Sequence, residues 1–244
     1  MIAADPHRTG AEANLAGSHL GRVADRPFAG VLFDMDGTLI DSAPSVERCW
    51  AVWSGEFGID LDQLRRWHGV PALGVIAHFL PPERHRAAEQ RLTDLELADA
   101  HDIPLLPGAA EALAALAGSG RVAIATSCTD ALGRARVAAS GLVIPPVFVT
   151  ADAVARGKPA PDPYAEAARR LGVSPADCLV VEDAPAGLAS GRAAGCTTLA
   201  VTTTSTRAAL QASGDADAVV ATLADVTLVV EPTGVRIRAA GHQA

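Results

Sequence analysis

The 244-residue sequence has neither closely spaced cysteines nor long apolar stretches. Its four cysteines lie far apart and form no C-x-x-C motif, so the pattern favours neither a zinc site nor a disulfide framework. No run of about 18 uncharged apolar residues occurs, and residues 1–27 lack the apolar region of a secretory signal. We therefore expect reduced thiols in a cytoplasmic protein, with residues 1–27 forming a flexible extension.

Positive charge is also scarce. The sequence has 20 Lys and Arg against 28 Asp and Glu, a formal net charge of -8, and no basic cluster interleaved with aromatic residues. Such a protein has no general attraction to nucleic acid or to an anionic membrane surface. We expect neither as a partner, whereas one or two local cations would suffice to bind a small phosphorylated metabolite.

Short apolar runs, each typical of a strand, alternate with helical stretches along the chain. They cover residues 28–33, 121–126, 146–150, 178–182 and 196–201. This alternation indicates a parallel sheet covered on both faces, and a hydrophobic content of 49% is ample for such a core. The predicted fold is α/β with a Rossmann-like parallel sheet. Two alternating runs around a Pro-Thr-Gly turn predict a C-terminal β-hairpin at residues 226–239.

Residues 45–101 interrupt this alternation. The segment is amphipathic, helical in character and free of strand candidates. All three tryptophans of the sequence lie in it, namely Trp50, Trp53 and Trp67. We interpret the segment as a helical cap inserted after the first strand, which divides the sheet core into residues 28–44 and 102–240. Tryptophans in such an insert are more often core residues than a wall for substrate.

Groups able to bind metal or phosphate occur where the predicted strands end. They are Asp34 and Asp36 after the first strand, Thr126 and Ser127 after the second, Lys158 in a proline-rich loop, and Glu182 with Asp183 after the fourth. The carboxyl ends of parallel strands converge on one edge of the sheet, where ligands bind. We expect all of these side chains to share one pocket at that edge.

Asp34 and Asp36 form the first of these groups. Two carboxylates so close together are costly to bury unless a cation or a shared proton offsets their charge. A calcium loop fails on spacing, because an EF-hand needs its glycine two residues later than Gly37 and a glutamate where this sequence has Ser45. An isolated D-x-D-G is also a common turn. The groups at the other strand ends argue against a simple turn.

Four motifs in a fixed order resemble those of the haloacid dehalogenase-like hydrolases. They are D-x-D-G-T at 34–38, a strand ending in Thr-Ser at 126–127, G-K-P-x-P-D-x-Y at 157–164, and V-V-E-D-A-x-A-G at 180–187. The resemblance extends over roughly residues 28–238. Within the family it looks most like the sugar and hexitol phosphatases, together with the 2-deoxyglucose-6-phosphatases and glycerol-3-phosphatases. It implies a magnesium-dependent phosphatase that hydrolyses a small sugar or polyol phosphate through an aspartyl-phosphate.

The resemblance also implies roles for individual residues. Asp34 would be the nucleophile, and Asp36 would protonate the leaving alcohol and then deprotonate the attacking water. Magnesium would bind the Asp34 carboxylate, the Asp36 backbone carbonyl and the Asp183 carboxylate, with Glu182 either a further ligand or a neighbour of the ligands. The phosphoryl oxygens would be held by Thr126, Ser127 and Lys158.

Other functions on the same fold stay open. Thr38 favours a phosphatase over a phosphosugar mutase of the superfamily, because the mutases usually carry an aliphatic residue at this position. A haloacid dehalogenase would have no use for Asp36, and a non-catalytic binding protein would be expected to lack at least one of the charged residues named above. His68, in the predicted cap, is either a substrate contact or a structural histidine at a helix end.

Overall fold

A six-stranded parallel sheet forms the centre of the fold. The computed structural model of the protein describes residues 20–65 and 72–241. The strand order is β3-β2-β1-β4-β5-β6. The strands are β1 Gly30–Phe33, β2 Val122–Ala125, β3 Val147–Val149, β4 Cys178–Glu182, β5 Thr197–Val201 and β6 Ala218–Val220. The predicted α/β class and parallel sheet are therefore confirmed, and β6 is a short edge strand that the sequence did not indicate.

Helices connect the strands and cover the sheet. They are α1 Ala43–Phe57, α2 Leu61–Arg65, α3 Ala72–Phe79, α4 Pro82–Ala98, α5 Ala109–Leu116, α6 Asp130–Ser140, α7 Asp162–Leu171, α8 Pro185–Ala193 and α9 Arg207–Ala212. Across residues 20–65 and 72–241, no helix has both the length and the apolar character needed to span a bilayer.

The hydrophobic core lies on both faces of the sheet. Successive residues of β1 illustrate this, since Val31 and Phe33 belong to one buried cluster and Leu32 belongs to another. The second cluster includes Tyr164 of α7, which is fully buried. Strands that are buried on both faces explain why the sequence shows continuous apolar runs instead of alternation.

The helices α1 to α4 lie between β1 and β2 and have a hydrophobic cluster of their own. Trp53 is fully buried at its centre, stacks on Phe57 at 4.6 Å between ring centroids, and donates its indole N–H to the Ala88 carbonyl at 2.9 Å. Trp50 packs edge-on against Trp53. Trp53 is thus a core residue of the inserted helices and the half-buried Trp50 packs against this core, whereas Trp67 lies outside the described residues. The first helix begins at Ala43, two residues before the predicted start of the insert.

The strands β7 Val226–Glu231 and β8 Gly234–Ala239 form the predicted C-terminal hairpin. Phe28, which precedes β1, exchanges two backbone hydrogen bonds with Val235 of this hairpin. The hairpin is therefore attached to the central part of the fold.

The segment just before β1 corrects one prediction. Residues 20–27 of the predicted extension are not a flexible segment, because Leu20 and Val23 are buried in the main hydrophobic cluster, while residues 1–19 lie outside the described residues. A single turn of 3₁₀-helix covers Gly21–Val23, and Arg26 donates to the Ala176 carbonyl at 2.6 Å. Two isolated apolar residues in a polar stretch give no periodic signal, which is why the sequence did not reveal this contact.

Candidate active site

The site lies where β1 and β4 run side by side at the centre of the sheet. The chain continues from β1 to β2 on one side, while β4 and β5 lie on the other. Asp34 directly follows β1, Glu182 is the last residue of β4, and Asp183 comes next. The Asp34 backbone N–H donates to the Val181 carbonyl at 3.0 Å, which fixes the two strand ends together. Ligands of open α/β sheets bind at such a reversal of strand order.

Three carboxylates converge at this position. Oxygens of Asp34, Glu182 and Asp183 lie within 4.8 Å of one another, and all three side chains are buried. Lys158 Nζ lies 2.5 Å from Asp34 Oδ1 and 2.7 Å from Glu182 Oε1. Lys158 is also the only lysine of the sequence. One buried ammonium therefore faces three buried carboxylates.

The pKa values reflect this surplus of negative charge. Burial raises the pKa of Asp34 well above its usual range, and burial together with Glu182 raises that of Asp183 to about 7. Burial alone would lower the pKa of Lys158, but the two neighbouring carboxylates raise it above its ordinary value. Such a set of anionic oxygens fits a hard divalent cation, whose charge would remove the need for protonation.

Glu182 anchors Lys158 within the cluster. Its carboxylate accepts hydrogen bonds from Lys158, from the Tyr164 hydroxyl at 2.7 Å, and from the backbone N–H groups of Asp183 and Ala184. A side chain at Gly187 would place its Cβ 1.7 Å from Glu182 Oε1, so only glycine leaves room for this carboxylate. Tyr164 is the final residue of the G-K-P-x-P-D-x-Y motif, and its position in that motif is the sequence signal for it.

Asp183 is oriented by hydroxyl groups. Thr38 Oγ1 donates to Asp183 Oδ1 at 3.2 Å, and Thr204 Oγ1 donates to Asp183 Oδ2. Gly37 has a φ of +84°, and a Cβ there would lie 2.3 Å from Asp183 Oδ2. The glycine of D-x-D-G-T thus provides both the turn and the space for Asp183. The sequence did not indicate a role for Thr204, although the threonine run that contains it follows β5 at the same edge of the sheet.

Asp36 points to a different set of partners. Its Oδ1 accepts from Arg136 Nη1 at 2.8 Å, and its Oδ2 accepts from Thr126 Oγ1 at 3.3 Å and Cys128 Sγ at 3.1 Å. Met35, between the two aspartates, is fully buried in the core. The Asp36 side chain is not part of the three-carboxylate cluster, and the role of its backbone carbonyl as a metal ligand stays a prediction.

The remaining predicted residues differ in their placement. Thr126 is buried beside Asp36, whereas Ser127 is exposed at the same strand end. His68 lies outside the described residues. Arg136 and Cys128, which contact Asp36, were not predicted. Arg136 falls on the apolar face of the helix after β2, and this position is the sequence signal from which its burial could have been predicted.

A family model described as haloacid dehalogenase-like hydrolase matches residues 28–195. The chain belongs to the haloacid dehalogenase-like hydrolases. This confirms the resemblance carried by the four motifs and the prediction that the chain is a hydrolase of this superfamily. The matched region contains β1 to β4, the inserted helices and every predicted site residue.

Individual relatives support the sugar phosphatase branch. Hexitol phosphatase A of Escherichia coli is 42% identical over 84% of this chain and 96% of its own length. Glycerol-1-phosphate phosphohydrolase 2 of Saccharomyces cerevisiae is 33% identical over 71% of this chain and 74% of its own length. Among solved structures, CbbY from Rhodobacter sphaeroides in complex with phosphate has a TM-score of 0.70 and 25% identity, covering 81% of this chain and 96% of that chain.

Proposed function

We propose that this hydrolase is a magnesium-dependent phosphatase that acts on a small sugar or polyol phosphate through an aspartyl-phosphate. The observation that carries the proposal is the buried Asp34 carboxylate, in contact with Lys158 at the central edge of the sheet. The phosphatase names of the relatives support the reaction class. The net negative charge of the chain is consistent with a small ligand bound by local cations.

In the first half of the reaction, a carboxylate oxygen of Asp34 attacks phosphorus and forms a P–O bond. The bond from phosphorus to the ester oxygen breaks, and the leaving alkoxide takes the proton of Asp36. The two aspartates suit these separate tasks because they face different partners, Asp34 towards Lys158 and Asp36 towards Arg136.

In the second half, water attacks the phosphorus of the aspartyl-phosphate. Asp36 accepts a proton from that water, and the bond between phosphorus and the Asp34 oxygen breaks. Inorganic phosphate leaves, and Asp34 returns to its starting carboxylate. The same Asp36 group thus serves as acid in one half-reaction and as base in the other.

Asp34 and Asp183 are the side chains proposed to hold magnesium, with the Asp36 backbone carbonyl. Bound there, the ion would neutralise the carboxylates and the incoming phosphoryl group, whose negative charges otherwise repel each other. Glu182 is better suited to hold Lys158 than to bind metal, because each of its oxygens already accepts two hydrogen bonds, whereas each side-chain oxygen of Asp183 accepts one.

Lys158, Thr126 and Ser127 are proposed to bind the phosphoryl oxygens. Lys158 Nζ contacts the nucleophile directly, so an oxygen bound to this ammonium lies beside Asp34. The proposal for this pair is supported by the contact of Thr126 Oγ1 with Asp36 and by the exposure of Ser127, the next residue after β2. The helices inserted at residues 45–101 are proposed to select the leaving alcohol.

The proposal is tested with a panel of hexitol, hexose and glycerol phosphates, assayed for inorganic phosphate with magnesium or with EDTA. We expect magnesium-dependent release from at least one polyol or sugar phosphate. Isomerised sugar phosphate without release of inorganic phosphate would indicate a mutase instead. Magnesium-independent release, or no turnover of any member of the panel, would contradict the proposal.

The nucleophile is tested with Asp34→Asn. The amide is nearly isosteric but a poor nucleophile, so turnover and the phosphorylated enzyme detected by mass spectrometry should both disappear. Asp177→Asn at the opposite end of β4, where the side chain is 59% exposed, is the matched control and should keep both. Normal turnover by folded Asp34→Asn would contradict the covalent route.

A further inference from the structure

The buried face of helix α6 carries a charge. The buried residues of this helix are Leu132, Gly133, Arg136 and Val137, and Arg136 is only 4% exposed. An arginine on the core side of a helix is costly unless its guanidinium is paired, and even a paired buried ion is often no more stabilising than an apolar side chain. Stability alone therefore does not account for Arg136.

Arg136 bridges two carboxylates from different parts of the fold. Its Nη1 lies 2.8 Å from Asp36 Oδ1, and its Nη2 lies 3.2 Å from Glu96 Oε1. Glu96 belongs to α4 of the inserted helices, and α4 packs against α6. The guanidinium therefore joins the D-x-D-G-T turn to the inserted helices through two charge-assisted hydrogen bonds.

Arg136 is the dominant partner of the Asp36 carboxylate. Among the side chains of residues 20–64 and 72–241, no other basic group lies within ion-pair distance of Asp36. The remaining contacts of this carboxylate are the longer ones from Thr126 and Cys128 to its other oxygen. Only the Arg136 bond joins two ionised groups, and at 2.8 Å it is the shortest of the three, so Arg136 contributes most to the orientation of Asp36.

We propose that Arg136 is a positioning residue for Asp36, and that Glu96 fixes its guanidinium from the inserted helices. The inference rests on the proposed role of Asp36 as the acid that protonates the leaving alcohol. A general acid must lie within hydrogen-bond reach of the oxygen it protonates, and a misplacement of about 1 Å can cost roughly 100-fold in rate. Arg136 acts through Asp36, since its side-chain contacts are with Asp36, Cys128 and Glu96.

The test compares two kinds of leaving group. The kcat/KM value covers formation of the phosphoenzyme, in which an alkoxide needs a proton but p-nitrophenolate leaves without one. Arg136→Met should lower kcat/KM for the best polyol phosphate of the panel by about 10- to 100-fold, while that for p-nitrophenyl phosphate changes much less. Arg136→Lys keeps the positive charge but loses the planar guanidinium that contacts two carboxylates at once. It should show a smaller loss of kcat/KM with the same selectivity for the polyol phosphate.

Controls separate positioning from general damage. Arg134→Met removes an exposed arginine of the same helix, paired with Asp130, and should leave both kcat/KM values unchanged. Glu96→Gln should reproduce part of the selective loss. In the background of Asp36→Asn, Arg136→Met should cause little further loss with the polyol phosphate, because the group that it positions is already inactive.

The outcomes distinguish the inference from the proposed function. If the wild type is active and Arg136→Met lowers kcat/KM for both substrates by the same factor, Arg136 is structural and the inference is wrong. It is equally wrong if both values stay unchanged. Should Arg136→Met fail to fold, Arg136→Lys decides between these outcomes by its leaving-group selectivity. If the wild type hydrolyses no phosphate monoester, the proposed function fails, and the positioning role fails with it.

Discussion

Lys158→Met tests how the buried charges of the site are balanced. Methionine has a similar length and keeps the apolar contacts of the lysine stem, but removes the ammonium that lies 2.5 Å from Asp34 and 2.7 Å from Glu182. Asp34, Glu182 and Asp183 are then left without a basic partner inside the cluster. Removing one partner of a buried ion pair typically costs about 3–5 kcal/mol, because the remaining charge is uncompensated.

This cost is large enough to measure as thermal stability. For a chain of this length, 1 kcal/mol corresponds to roughly 2–4 °C in Tm. We therefore expect Lys158→Met to melt about 6–20 °C below the wild type in EDTA. Magnesium should recover more stability in the variant than in the wild type, because the ion no longer competes with an ammonium for the same carboxylates. Differential scanning calorimetry with EDTA or excess magnesium measures both effects.

Two further variants make this measurement specific. Arg156→Met removes an exposed cation of the same loop, whose pair with Asp162 should contribute at most about 1 kcal/mol, and it serves as the control. Asp34→Asn in the Lys158→Met background replaces one of the three buried carboxyl groups with a neutral amide and should restore part of the lost Tm. The charge argument is refuted if Lys158→Met is as stable as the wild type in EDTA, or if magnesium stabilises both equally.

Further predictions concern the same site. In EDTA, the unfolding free energy should fall as pH rises from about 4 to 7, because the folded state holds protons on Asp34 and Asp183 that the unfolded state has released. Excess magnesium should flatten this pH dependence. Urea titrations at several pH values measure the unfolding free energy under both conditions. Asp36→Asn should lower kcat for a polyol phosphate by roughly 10²- to 10⁴-fold, and an unchanged kcat would assign the proton transfer to another group. Gly187→Ala should displace Glu182 and lower both Tm and kcat, whereas Gly55→Ala in α1, where a Cβ meets no atom within 4 Å, should not. Calcium in place of magnesium should inhibit, since its looser coordination fits an in-line transfer poorly, and steady-state assays in calcium check this.

The sheet was predictable because its strands are buried on both faces. The runs that became β1 and β4 are continuous apolar segments followed by charged residues, and the parallel order brings their ends together. Residues 20–27 and β6 escaped prediction for the opposite reason. Leu20 and Val23 are isolated in a polar stretch, and β6 has only three residues at the edge of the sheet. Neither gives enough periodicity to stand out from a loop.

Some charged groups of the site could be predicted from the sequence and others could not. Asp34, Lys158 and Asp183 stand in local motifs, so their types and spacing in the sequence already indicated a shared site. The contact between Asp36 and Arg136 joins residues 100 positions apart, and no local pattern links them. Sequence alone therefore predicted that Asp34, Lys158 and Asp183 come together, but not which cation orients Asp36.

The difference between the two aspartates follows from their separate cations. Asp34 and Asp36 are only two residues apart, and in an extended strand their side chains would point the same way. The turn at Gly37 ends the strand, and Lys158 and Arg136 then hold the two carboxylates in different surroundings. In the proposed mechanism, Asp34 beside the buried Lys158 is the nucleophile, and Asp36, which Arg136 links to the inserted helices, protonates the leaving alcohol. The different surroundings of these two neighbouring residues are thus set by two distant cations, one in the loop before α7 and one on α6.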